Sequence, residues 1–164
     1  MIENKVAKSG LITLDFAELV QGQEAVALDI APWLWQGLVL KEKDFREAVA
    51  SLDVSPFEGK IVGIYCSNDA IVPVWAFMLL ALKLEPIATS VVFASEKELD
   101  LVRANWVISQ INPADYEGKN VIIKGCTSLD LNPEVYVNIA SKLRPTVNRL
   151  MFGEPCSTVP LYKK

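Results

Sequence analysis

Short β-branched runs alternate along this chain with longer stretches in which apolar residues return every three or four positions. The runs "EAVALDI" (24–30), "KIVGIYC" (60–66), "TSVVF" (89–93), "KNVIIKGC" (119–126) and "VNRLMF" (147–152) predict buried strands. Between them, "KEKDFREAVASL" (41–52), residues 73–84, "SEKELDLVRANWVISQI" (95–111) and residues 133–143 predict helices. Ser95 with Glu98 three residues on makes a capping box, Asn132 is placed to cap the helix beginning at Pro133, and each of the helices 73–84 and 133–143 runs into Leu-x-Pro. The alternation predicts an α/β fold: one mostly parallel sheet of about five strands with helices on its faces.

Two stretches of this pattern are alike. In "FEGKIVGIYCSNDAIVPVWAFMLLALKLEPIATSVVF" (57–93) and "YEGKNVIIKGCTSLDLNPEVYVNIASKLRPTVNRLMF" (116–152), Glu-Gly-Lys, a cysteine, a proline, Ala-x-Lys-Leu-x-Pro and a closing Phe recur in the same order. Each reads as a βαβ unit with parallel strands, so an internal duplication is expected.

A length of 164 residues accommodates one domain, 1–164, with a substantial core. Apolar residues at 51 % and charged residues at 22 % are a globular composition. A net charge of −4 without a local Lys/Arg cluster gives no electrostatic reason to bind nucleic acid. The apolar runs are too short to span a membrane and the first residues lack a secretory apolar core, so a cytoplasmic protein is expected.

Histidine is absent, which removes imidazole acid–base catalysis, Ser-His-Asp and Cys-His arrangements and His-ligated zinc. No glycine-rich phosphate loop follows a predicted strand, so no nucleotide is expected. Val72 and Asn132 stand where a cysteine phosphatase needs its arginine.

The remaining chemistry is thiol chemistry. Cys66 and Cys126 follow two predicted parallel strands, and Cys156 follows the last, in "GEPCSTVPLYKK". In one sheet all three emerge at the carboxyl edge, where α/β proteins build their sites. Asp69 and Asp130 lie shortly after Cys66 and Cys126, as helix caps or as a carboxylate beside thiolates. The candidate metal ligands are Cys66, Cys126, Cys156 and Asp69, a soft set suited to zinc, iron or an iron–sulfur cluster. Lys124 beside Cys126 is placed to favour a thiolate. Buried, inert cysteines are the plainer alternative.

The segments "SGLIT", "KEKDFREAV", "CSNDAIVPVWAFMLL", "VIIKGC" and "MFGEPCSTVPLYK" together resemble a small bacterial family catalogued as domain of unknown function 2480. The resemblance brings no established activity. It implies a place near sulfur-mobilising iron–sulfur assembly proteins as partners. Three functions follow as expectations: a thiolate metal-binding protein in iron–sulfur or metal assembly, a cysteine-dependent thiol or sulfur-transfer enzyme, or a non-catalytic interaction module. Self-association into a homo-oligomer is compatible with each.

Overall fold

A computed structural model describes residues 10–124 and 131–164. Its elements in chain order are β1 (Leu11–Leu14), α1 (Phe16–Gln21), β2 (Ala25–Asp29), α2 (Glu42–Ser51), β3 (Ile61–Tyr65), α3 (Val74–Leu84), β4 (Ser90–Phe93), α4 (Leu99–Gln110), β5 (Asn120–Ile123), α5 (Pro133–Leu143), β6 (Arg149–Glu154) and β7 (Ser157–Lys163). The fold is α/β. The single sheet of about five strands is corrected to two: a parallel sheet in the order β2-β3-β4, and a mostly parallel one in the order β1-β5-β6-β7. The chain divides accordingly into two compact units, Gln23–Arg103 and the flanking segments up to Gly22 and from Ala104.

In the Gln23–Arg103 unit, β3 is the middle strand and is buried on both faces, which accounts for its unbroken apolar run. Val62 and Ile64 point to the face covered by α2 and α3, where they meet Phe45, Val49, Ala76, Leu80 and Leu84. On the opposite face Gly63 lets the chain pass close: a Cβ there would stand 2.6 Å from the Ala94 carbonyl oxygen.

The other unit pairs β1 with β5 across the whole intervening unit, Leu14 opposite Ile123. Its last strand, β7, runs antiparallel to β6 and includes Pro160. A strand with no neighbour on one side tolerates the missing N–H, and the register shifts between Leu150 and Met151, Met151 standing opposite Pro160.

Both units contain a parallel strand–helix–strand: β3-α3-β4 and β5-α5-β6. The second repeats the geometry of the first at a spacing of 59 residues, Val74–Leu84 becoming Pro133–Leu143. Gly59 and Gly118, at φ 69° and 67°, donate to the Ile87 and Thr146 carbonyls at 2.9 Å in each case. Positive φ is what fixes glycine there. The N–H groups of Thr89 and Asn148 reach the Lys60 and Lys119 carbonyls, both at 2.8 Å. The helices bury the same positions: Ala76, Leu80 and Leu84 in one, Val135, Ile139 and Leu143 in the other. Edge-to-face rings also recur, Phe77 with Phe93 at 5.1 Å and Tyr136 with Phe152 at 5.5 Å.

Two of the predicted caps are found where they belong. Ser95 and Glu98 form their capping box, and the Asn132 side chain accepts from the Glu134 N–H at 2.9 Å. The close approach at Gly63 makes a direct test: Gly63→Ala should lower stability by about 1–3 kcal/mol, the usual cost of overpacking. Urea denaturation measures it, and an unchanged midpoint would show that the Ala94 carbonyl moves freely aside.

Candidate functional site

Cys66 follows β3 and is half-buried; its thiol points to the Asn68 carbonyl at 3.5 Å. The loop that carries it is held by an aspartate at the end of the neighbouring strand. Asp29 accepts from the Ser67 hydroxyl at 2.5 Å and from the N–H groups of Ser67 at 3.0 Å and Ala31 at 2.9 Å. Burial pushes the Asp29 carboxyl up, but these donors together outweigh it and the group titrates below the usual carboxylate value. Asn68 donates in turn to the Gly37 carbonyl at 2.9 Å, tying the loop to the turn where Gln36 takes φ 52°.

Asp69 is exposed and does not cap α3; the capping position is Pro73, which makes no side-chain cap bond. The reason is distance along the chain, since Ala70, Ile71 and Val72 intervene. Cys126 and Asp130 lie outside the described residues. Cys156 is exposed in the two-residue turn joining β6 to β7.

Cys66 and Cys156 therefore follow strands of different sheets, so the single carboxyl edge expected to gather the thiols is replaced by two edges. Among the described residues, no three His, Cys, Asp or Glu side chains lie together in a way that could hold a metal ion.

In the unit containing Cys156, the carboxyl edge is polar. Lys124, just past β5, donates to Asp15 at 2.7 Å; that hydrogen bond raises the lysine pKa and lowers the aspartate's, while Asp15 also caps α1 by accepting from Glu18 N–H at 3.1 Å. Asp15 and Asp29 both sit in a Leu-Asp pair that closes the first strand of its sheet, Leu14-Asp15 and Leu28-Asp29. Each holds the segment that leaves the adjacent strand. These polar groups are mutually satisfied and serve to fix loops.

Among the described residues a marked apolar surface is also left open. Val74, Met78 and Leu82 form a stripe on the outer face of α3, at 73 %, 60 % and 72 % exposure, and Phe93 beside them is 74 % exposed. A groove of about 200 Å³ runs between α3 and β4, lined by Ile64, Phe77, Met78, Ala81, Val91 and Phe93. The signal was in the sequence: "VWAFMLLALKL" has one charge in eleven residues, and a helix apolar all round expects a covering on every side.

The chain belongs to the DUF2480 family. The family model, described as a protein of unknown function, matches residues 1–164. No curated protein and no solved structure matches it. Membership of the DUF2480 family brings no chemistry with it.

A titration tests the Asp29 latch. Ser67→Ala should raise the Asp29 midpoint, followed by carboxyl-carbon NMR. Because the folded-state pKa is depressed, the associated stability is present above the ordinary carboxylate pKa and is lost as pH falls through the folded value. Wild type and variant should therefore converge in strong acid; an unmoved Asp29 midpoint would contradict the latch.

Proposed function

We propose that this protein is a non-catalytic interaction module that works through the outer face of α3 and the adjoining edge of β4. The observation that carries the reading is the contrast between two helices of like geometry. Both α3 and α5 seat their three inner side chains fully. Outside, α5 presents Pro133, Val137 and Ser141 flanked by exposed Glu134 and Asn138, whereas α3 presents Val74, Met78 and Leu82. The mixed exterior of α5 is compatible with the same seating, so the wholly apolar stripe of α3 answers a different requirement, contact with another surface. The matched spacing also supports reading the two βαβ units as copies of one ancestral unit, one of which kept a bare face.

Photo-crosslinking tests this. Benzoylphenylalanine installed at Leu82 in cells producing the protein should give covalent adducts, with the protein itself or with another, while the same probe at Ser141 should not. Equal labelling at both positions, or none at either, would overturn the reading.

A second reading concerns the thiols. Cys66 and Cys156 are free thiols, and on this reading Cys66, Cys126, Cys156 and Asp69 serve a soft metal, zinc, iron or an iron–sulfur cluster, among iron–sulfur assembly partners in the cytoplasm. A sulfur-transfer role would use one of these thiols as nucleophile instead. On the metal reading, protein purified without oxygen or chelator carries stoichiometric metal by elemental analysis and loses it on Cys156→Ser. Metal-free wild type would end that reading and leave the interaction module standing.

A further inference from the structure

We infer that the partner covering the α3 face is a second copy of this chain, joined through antiparallel pairing of β4 with the partner's β4 about a two-fold axis. The inference rests on the interaction reading and adds the occupant.

β4 is an outer strand of its sheet, paired with β3 on one side only. The Ala94 N–H donates to the Ile64 carbonyl at 3.2 Å, so by strand alternation the N–H and C=O groups of Val91 and Phe93 face the open side. In the counterpart position, β6 has its outer side filled by β7, running antiparallel with Val159 opposite Phe152. Phe93, which stands 59 residues before Phe152 and makes the same ring contact, has no such neighbour within its sheet and lies open. The unit carrying β4 is thus short of one antiparallel strand, and of an apolar cover over Phe93.

A second copy supplies both at once. A two-fold axis normal to the sheet sets β4 antiparallel to its mate and brings both α3 helices to the same face as neighbours, stripe against stripe. The stripe is uncharged, and Lys83, the charge in this helix, turns to the Ala50 carbonyl at 3.2 Å. An uncharged apolar stripe gives no handle for electrostatic selection of a different partner and is complementary to itself. Val74, Met78, Leu82 and Phe93 offer roughly 600 Å² per copy, near the ~800 Å² each partner gives to a standard interface.

Sedimentation equilibrium of the full chain from about 1 to about 100 µM tests the pairing. Wild type should approach twice 18.1 kDa. Leu82→Glu, which charges the stripe, and Val91→Pro, which removes an outward N–H while sparing the β3 ladder, should each weaken association at least about tenfold, or 1.4 kcal/mol. Circular dichroism controls for folding; should either variant misfold, Leu82→Ser serves, since Ser141 is what α5 carries there. A dimer indifferent to these substitutions would overturn pairing through this face. A monomeric wild type would overturn the second copy; if the probe at Leu82 then captures a different protein, the interaction reading survives, and if it captures nothing both fall.

Discussion

Two parallel strands cannot be joined by a tight turn; the chain must cross over, and the crossover here is a helix whose inner side chains have to fill the space above the strands. In both units that filling is done by three residues spaced four apart, Ala76, Leu80 and Leu84 or Val135, Ile139 and Leu143, all fully buried. Burying each larger side chain is worth about 1.5–3 kcal/mol, so the triad ranks among the main sources of stability in its unit. Around it the rest is arranged: glycines at positive φ admit the chain to the strand, the N–H groups of Thr89 and Asn148 open the ladder to the next strand, and the outer helix face is left free to vary.

That freedom separates structure from function in this protein. The seating of α5 leaves an exterior of mixed polarity, and that of α3 leaves a bare apolar stripe beside an open strand edge. The unit carrying α5 closes its own edge with β7. Exposed N–H and C=O groups at a sheet edge pair with a strand of the same chain, as those of β6 do with β7, and in the proposed dimer β4 takes a strand from outside.

Much of the fold was legible because its signals are local. The α5 boundaries follow from Asn132 and Pro133 at one end and Leu-x-Pro at the other, and the capping box at Ser95 marks the start of the turn leading into α4. What escaped was non-local or short. β1 and α1 are four and six residues long, with too few periods to register, and β1 finds its partner more than a hundred residues away. β7 was hidden by Pro160, tolerated because the strand is an outer one. The expectation that the cysteines share an edge depended on strand order, which alternation of strands and helices does not encode. Asp69 failed as a cap because three residues separate it from Pro73. The α3 stripe could have been read directly, since a helix with one charge in eleven residues has more apolar surface than one inner face can use.

The central claim is that the inner face of α3 folds the protein and the outer face binds. Thermal unfolding of wild type and Leu82→Ser across protein concentration addresses it most directly, because binding to a folded partner stabilises by mass action and folding contacts do not depend on concentration. The account predicts a wild-type midpoint that climbs with concentration, a variant midpoint that does not, and agreement of the two within about 0.5 kcal/mol in dilute solution. A deficit of about 2 kcal/mol or more that persists at every concentration would show Leu82 to be part of the fold itself, and would contradict the claim.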